Sequence, residues 1–253
     1  MSPETVFIGG LHGSGTSLLH RWLRAHPKVS GIEGSGVPED EGQHLQDVLP
    51  TAKSLGGMGR FGFATGGHLT ERSSLASAAT RDALEAAWGR YWDTHSAVRV
   101  EKSPPNLIRF RLLQSLFPGS VAVALIRHPL AVAYSCQQKR RLNRLRSLRG
   151  FVEHWLHCHR LFAADRPETT RLVVVRYEEL VGNPSLALAP LWGELGLSPV
   201  KVPEPLRSDR DAEHARAWRR RLVRPPLPAT LLALEAEVSS WGYSLRDFGS
   251  DGR

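Results

Sequence analysis

The stretch TVFIGGLHGSGTSLL, residues 5–19, decides the fold. Its first four residues form a short run that predicts a buried β-strand. Residues 10–15 then match the Gly-x-x-x-x-Gly frame of a phosphate-binding loop. Glycines let the backbone wrap closely around an anion, and a helix that begins at Thr16 or Ser17 presents its free N–H groups to that anion. Strand, glycine-rich turn and helix together predict the opening of a nucleotide-binding α/β unit.

Strand and helix patterns alternate along the rest of the chain. The run at 121–126 is continuously apolar, as expected for a parallel strand covered on both faces. The alternation predicts a three-layer α/β fold with a central parallel sheet and a P-loop-type nucleotide-binding site at the carboxyl ends of its strands. No clear linker divides the chain, so residues 1–253 are predicted to form one domain.

The individual elements follow from the same patterns. The predicted strands are 5–8, 98–101, 121–126 and 172–175. The predicted helices are 16–25, 81–92, 130–146, 148–164 and 229–241, with one more carrying Ile108, Leu112 and Leu116 at four-residue spacing. Residues 31–67 are rich in glycine and acidic residues and predict a long loop with short helices, long enough to suggest function.

Composition predicts a globular, cytoplasmic protein. Apolar residues make up 41% of the 253 residues and charged residues 23%, which argues against global disorder. No apolar run approaches the roughly 18–20 residues of a membrane span, so no membrane partner is expected. Residues 1–5 lack the basic start and apolar stretch of a signal peptide. Cys136 and Cys158 could form one bridge at most, so no disulfide framework is implied.

Basic residues are concentrated in two places. Lys and Arg number 33 against 25 Asp and Glu, a formal net charge of +8, and the clusters fall at 139–149 and 216–224. Such clusters attract phosphate- or sulfate-bearing ligands, nucleic acid or acidic membrane surfaces. The sequence shows no aromatic-interleaved stacking platform and no DNA-binding helix pair, so a nucleic-acid partner is not expected.

The glycine loop lacks the lysine of a nucleoside triphosphatase. Such an enzyme carries Lys and then Ser or Thr after the loop, the lysine for the outer phosphates and the hydroxyl for magnesium. Here Thr16 and Ser17 stand in those two places. The loop can therefore hold a phosphate, or the bridging oxygen of a phosphosulfate, without γ-phosphate and metal chemistry, and no metal site is predicted. The alternative is that the glycines serve only the packing of strand and helix.

A second anion site is predicted at mid-chain. Arg127 follows the apolar strand, and Ser135 lies eight residues further, in the second turn of the next predicted helix. An arginine and a hydroxyl around one phosphate form charge-assisted hydrogen bonds. Lys139 is one helical turn beyond Ser135 on the same face. The alternative is that Arg127 caps a backbone carbonyl and Ser135 is an ordinary helix residue.

Together these motifs resemble the sulfotransferases that use 3′-phosphoadenosine 5′-phosphosulfate (PAPS). The resemblance covers residues 6–182 and is closest to the tyrosylprotein-sulfotransferase-like branch found in bacteria and plants. It is carried by SGTSLL at 14–19, HP at 26–27, EKSP at 101–104 and VRYEEL at 175–180. It implies an enzyme that moves a sulfuryl group from PAPS to a hydroxyl or amine; the absent secretion signal favours a small-molecule acceptor.

The resemblance also implies which residues hold PAPS. In that family a lysine-free glycine loop holds the 5′-phosphosulfate, and an Arg…Ser pair of this spacing holds the 3′-phosphate. The tyrosine of the strand-end segment lies near the nucleotide, and a basic C-terminal loop covers it. The corresponding residues of this chain are Gly13, Ser14, Gly15, Thr16, Ser17, Arg127, Ser135, Lys139, Tyr177 and Arg221.

Two residues compete for the role of general base, a role that typically contributes about 10²–10⁴-fold. In the tyrosylprotein enzymes the base is a glutamate shortly after the first helix, and counting from His26-Pro27 that position is Glu33. His44 is the alternative, because it lies near carboxylates within residues 37–46 and other branches use histidine. Lys102 matches the lysine that contacts the leaving-group bridge; otherwise it is an ordinary exposed lysine.

One position departs from the family pattern. Relatives usually carry an arginine just before Ser-Gly-Thr, where this chain has Gly13. His12, or an arginine from 216–224, is the candidate replacement for that catalytic cation. The departure leaves open a nucleotide-binding relative with weak catalysis. A P-loop nucleotide kinase or NTPase is the other alternative, against which the missing lysine argues.

Overall fold

The strand that precedes the glycine loop, β1 (Glu4–Gly9), lies at the centre of a parallel sheet in the computed structural model. The structure describes residues 3–140, 148–201 and 229–247. Within them five strands run in the order β2-β3-β1-β4-β5, every neighbouring pair parallel. The other four are β2 (Val29–Gly31), β3 (Val98–Lys102), β4 (Val121–Ile126) and β5 (Leu172–Arg176).

Helices follow the strands and cover both faces of the sheet. They are α1 (Thr16–Leu23), α2 (Ala78–Gly89), α3 (Phe110–Leu116), α4 (Pro129–Arg140), α5 (Leu148–Asp165), α6 (Tyr177–Gly182), α7 (Pro184–Glu194), α8 (Ala229–Leu232) and α9 (Glu235–Ser240). Short 3₁₀ turns occupy Pro38–Asp40, Gly42–His44, Phe61–Phe63, Pro104–Ile108 and Arg166–Glu168. Within the described ranges no helix is both long and apolar enough to cross a membrane.

Two apolar cores lie on opposite faces of the sheet, because successive side chains of a strand point to opposite sides. Phe7 of β1 packs on one side with Trp88 of α2, and α3, α4 and α5 complete that core. Its neighbours Val6 and Ile8 pack on the other side with Trp22 of α1 and Trp192 of α7. All six residues of β4 are buried, as a strand covered on both faces requires. The predicted three-layer α/β fold with a central parallel sheet is confirmed.

Element boundaries differ from the predictions in a few places. The three-residue strand β2 is too short to leave a pattern in the sequence. Helix α2 begins at Ala78 rather than 81, because the Ser77 hydroxyl accepts a hydrogen bond from the Thr80 N–H and caps it. The helix predicted through Ile108 is a 3₁₀ turn before α3. Residues 141–147 and the whole basic cluster at 216–224, Arg221 included, lie outside the described residues.

Candidate active site

The glycine loop joins β1 to α1 and is held by hydrogen bonds between its own residues. The buried Ser14 hydroxyl donates to the Leu11 carbonyl oxygen at 2.6 Å, and the Ser14 N–H donates to the same oxygen. Gly13 and Gly15 have φ values of +86° and +101°, in the region that favours glycine. Helix α1 begins directly after Gly15, so its first N–H groups face the loop.

Both loop glycines also make room for side chains from other elements. A Cβ at Gly15 would lie 2.5 Å from the Tyr177 ring, and one at Gly13 would lie 2.9 Å from the Ser135 hydroxyl. Tyr177 begins α6 and Ser135 lies in α4. The structure therefore brings these two predicted residues directly against the loop.

Arg127 links the two halves of the site. It follows β4, and its Nη1 donates to the Gly13 carbonyl oxygen at 2.6 Å. Its guanidinium carbon lies 4.1 Å from the centroid of the Tyr177 ring, a cation–π contact. The sequence left open that Arg127 only caps a backbone carbonyl, and it does make such a hydrogen bond. The same side chain also lines the cleft beside the loop. The loop and the end of β4 thus share one cleft.

That cleft has a volume of about 430 Å³. Most predicted donor-site residues line it: His12, Gly13, Gly15, Thr16, Ser17, Arg127, Ser135, Lys139 and Tyr177. The sequence did not predict the others, which are Leu18, Arg21, Glu39, Glu41, Pro104 and Gln138. A larger cavity of about 550 Å³ lies between α5, β5 and α9, but no predicted site residue lines it.

Lys102 is fully buried at the end of β3, so it is not an ordinary exposed lysine. Its Nζ donates to the Ser17 hydroxyl at 3.3 Å and to the Glu39 carbonyl oxygen at 2.7 Å. A third contact, at 3.4 Å, joins Nζ to Oε1 of Glu41. A fixed cation from β3 therefore lies at the start of α1, beside the glycine loop.

Two carboxylates that the sequence did not single out face this cation and its neighbours. Glu39 accepts from the Ser17 hydroxyl at 2.9 Å and from Lys139 Nζ at 3.0 Å. Burial alone raises the pKa of Glu39, but the hydrogen bonds from Lys139 and Ser17 outweigh it and hold that pKa below its usual range. Glu41 is buried, and its Oε2 accepts a hydrogen bond from Gln43 Nε2. His44 Nε2 lies 3.6 Å from the same oxygen.

Comparison with known proteins gives one decisive match. Residues 3–200 match the model of the sulfotransferase family. The chain belongs to that family. The family match does not distinguish branches, so the likeness to the tyrosylprotein branch stays a prediction. None of the curated proteins matches this sulfotransferase.

Solved structures share its fold. A sulfotransferase from Alicyclobacillus acidocaldarius is similar with a TM-score of 0.53 and 16% identity, covering 92% of this chain and 96% of that one. The sulfotransferase domain from the curacin biosynthetic pathway gives 0.56 and 18%, covering 96% and 98%. The sulfotransferase domain of the Synechococcus PCC 7002 olefin synthase gives 0.57 and 20%, covering 96% of both chains. At such identities the likeness shows the fold alone.

The two predicted bases of this sulfotransferase lie in different environments. The Glu33 side chain is 67% exposed and forms an ion pair with Arg24, and it does not line the cleft. Glu33 therefore lies outside the cleft in the described structure, and its role as the base stays a prediction. His44 lies at the edge of the site, where its contact with Glu41 connects it to Lys102.

Position 13 of this sulfotransferase offers no room for the arginine that the resemblance leads one to expect there. Its φ is positive and its Cβ position is taken by Ser135. His12 lines the cleft and packs edge-on against Phe61 at 5.7 Å between ring centroids. Among the described residues that line the cleft, the cationic side chains are Arg21, Arg127 and Lys139. Lys102 is fully buried next to the cleft and reaches Ser17 with its Nζ.

A buried carboxylate supports the cleft from behind. Glu101, next to Lys102 in β3, accepts from the Ser103 hydroxyl and from Asn106 Nδ2, each at 2.6 Å. Burial raises the pKa of Glu101 to about 7, against the opposing effect of these hydrogen bonds and of Lys102. Gly42 packs on this carboxylate so closely that a Cβ would lie 2.4 Å from Oε1. The segment that carries Glu41 is thereby held against β3.

Proposed function

We propose that this sulfotransferase moves a sulfuryl group from PAPS to a hydroxyl or amine of a small-molecule acceptor. Its family uses PAPS as co-substrate in general. The observation that carries the proposal is the convergence of the lysine-free glycine loop with Arg127 and Ser135 on one cleft. The cleft volume of about 430 Å³ falls within the roughly 300–1,000 Å³ of small-molecule sites.

The polar groups of the cleft suit a donor with an anion at each end. The loop, the first N–H groups of α1, Ser17 and Lys102 would hold the 5′-phosphosulfate. Arg127, Ser135 and Lys139 would hold the 3′-phosphate. Charge-assisted hydrogen bonds of this type contribute about 1.5–3 kcal/mol each. Tyr177, already stacked under Arg127, would border the nucleotide between them.

The reaction requires positioning and charge stabilisation more than covalent participation of the protein. As in phosphoryl transfer, the transition state is loose and in line. The acceptor oxygen forms a bond to sulfur while the bond from sulfur to the bridging phosphate oxygen breaks. The departing oxygen takes the electron pair, and the acceptor proton passes to a base. Lys102, hydrogen-bonded to Ser17 beside the loop, would stabilise the departing oxygen; losing one such donor typically costs about 10²–10³ in rate.

A specific contact disfavours the NTPase alternative. Ser17 stands where a nucleoside triphosphatase has the hydroxyl that binds magnesium. In this chain that hydroxyl is hydrogen-bonded to the Lys102 ammonium group and to the Glu39 carboxylate. A cation from β3 therefore lies beside the hydroxyl that magnesium would need, so ATP with magnesium is expected to bind poorly.

Nucleotide binding tests the proposal. Isothermal titration with 3′-phosphoadenosine 5′-phosphate (PAP) should show saturable binding that is largely lost in Arg127→Ala. Arg149→Ala is the matched control, because Arg149 is exposed on α5 and pairs with Glu153 away from the cleft. Absence of PAP binding by the wild type, or tighter binding of magnesium–ATP, would reject the proposal. A mass-spectrometric screen for the added sulfuryl group then identifies the acceptor.

A further inference from the structure

Two carboxylates line the cleft within the described part of the chain, Glu39 and Glu41. Glu39 is already engaged by Ser17 and Lys139, and its side chain is 46% exposed. Glu41 is buried and lies beside Lys102, the cation proposed to stabilise the leaving oxygen. Reaction at sulfur takes place next to that oxygen, and Glu41 is the cleft carboxylate that pairs with Lys102 Nζ, at 3.4 Å.

From this arrangement we infer that Glu41 is the general base that accepts the acceptor proton. The inference rests on the proposed function and adds to it the identity of the base. The acceptor O–H proton passes to a carboxylate oxygen of Glu41 as the new S–O bond forms. The old S–O bond breaks, its electron pair remains on the phosphate oxygen near Lys102, and Glu41 later releases the proton to water. No other reactant is needed.

The surroundings of Glu41 fix its carboxylate. Oε2 accepts from Gln43 Nε2 at 2.5 Å, and Gln43 is itself held by its N–H to the Ser103 hydroxyl and by its Oε1 to the Ala52 N–H. Gly42 follows directly, packed on Glu101, with its carbonyl oxygen bonded to Trp88 Nε1 at 2.9 Å. These contacts hold the Glu41 carboxylate in one position at the cleft, and a general base must lie within hydrogen-bond reach of the proton that it takes.

The charged and titratable groups that face Glu41 come from two elements. Lys102 and Glu101 approach from β3, and His44 approaches from the 3₁₀ turn that follows Glu41. His44 is the nearest rival for the proton, so the experiment must separate the two.

The test compares Glu41→Gln and Glu41→Asp with His44→Gln and Glu33→Gln, which remove the two rival bases, in the full chain. The control is Glu153→Gln, a carboxylate that pairs with Arg149 on α5 away from the cleft. PAP affinity and melting temperature show whether each variant keeps its fold and donor site. Turnover uses PAPS with water as the acceptor, measured by chromatography of PAP as a function of pH. We expect Glu41→Gln to retain PAP binding, lose about 10²–10⁴ in turnover and lose the fall in rate at acid pH. Glu41→Asp should recover part of the rate.

The outcomes separate the possible errors. Glu41→Gln could turn over PAPS at the wild-type rate, or at a lower rate with the fall at acid pH unchanged. Either result would show that Glu41 at most orients Lys102. A fall in rate at acid pH that is lost in His44→Gln or in Glu33→Gln but kept in Glu41→Gln would make the substituted residue the base. A wild type that binds PAP yet consumes PAPS no faster than buffer would also overturn the assignment. Failure to bind PAP at all would instead reject the proposed function.

Discussion

Removal of the Glu39 carboxylate should tighten donor binding. Glu39 accepts hydrogen bonds from Ser17 and Lys139, two groups that the proposed donor needs for its own phosphate oxygens. The Lys139–Glu39 pair is nearly half exposed on both sides, so it contributes about 0.2–1 kcal/mol. The hydrogen bond from Ser17 contributes about 0.5–1.5 kcal/mol. Releasing both groups in Glu39→Ala would add about 1–2 kcal/mol to PAP binding, a factor of roughly 5–30.

Isothermal titration with PAP at several salt concentrations measures this effect. Because the pair is exposed, the gain should shrink as salt rises and the Debye length falls below about 8 Å. Glu33→Ala is the matched control, since that carboxylate pairs with Arg24 outside the cleft. In a Lys139→Ala background the gain should be smaller, because one of the two contested groups is gone. Weaker PAP binding by Glu39→Ala than by the wild type would refute the reasoning.

Two further predictions concern the loop and the buried carboxylate. Gly13→Ala should cost about 1–2 kcal/mol of folding stability for a side chain at positive φ and about 1–3 kcal/mol more for its contact with Ser135. Urea unfolding should show this loss of stability, and titration should show a loss of PAP affinity. The control Gly36→Ala, at a similar positive φ in open space, should cost only the backbone part, about 1–2 kcal/mol, and should keep PAP binding. Burial raises the pKa of Glu101 in the folded protein to about 7, from its ordinary value of 4.5. Folding therefore favours the protonated carboxyl group, and the free energy of unfolding should fall as pH rises between these two values. This fall should be seen in the wild type and not in Glu101→Gln. Parallel pH curves for these two proteins in urea unfolding would contradict that assignment.

The sequence predicts the glycine-loop half of the site well because its signals are local. Strand β1, the loop and α1 are consecutive, and the glycines at 13 and 15 are required by their own backbone conformation. The eight-residue spacing from Arg127 to Ser135 fits the end of β4 and the second turn of α4. Such features depend on short stretches of chain, so a single sequence contains enough information to place them.

The acidic side of the cleft could not be predicted in the same way. Glu39 and Asp40 both have positive φ values, +56° and +49°, which non-glycine residues rarely adopt and no local rule indicates. This backbone turns the Glu39 carbonyl towards Lys102 and the Glu39 carboxylate towards Ser17. Counting from His26-Pro27 leads to Glu33, which lies outside the cleft. A count along the chain contains no information about a turn that brings Glu39 and Glu41 to the cleft instead.

Position 13 is glycine and position 16 is threonine, so neither supplies a cation to the cleft. The cations at and behind the cleft come from other elements: Arg21 from α1, Lys102 from β3, Arg127 from the end of β4 and Lys139 from α4. The sheet register makes this possible: Ile8 pairs with Lys102 in β3, and Gly9 pairs with Ala124 in β4. Strand β3 therefore ends level with Ile8, and β4 ends two residues beyond the level of Gly9, so both end beside the turn from β1 into the loop. A slip of one residue between β1 and β3 would turn Lys102 to the opposite face of the sheet, so donor recognition depends on strand pairing as much as on the loop itself.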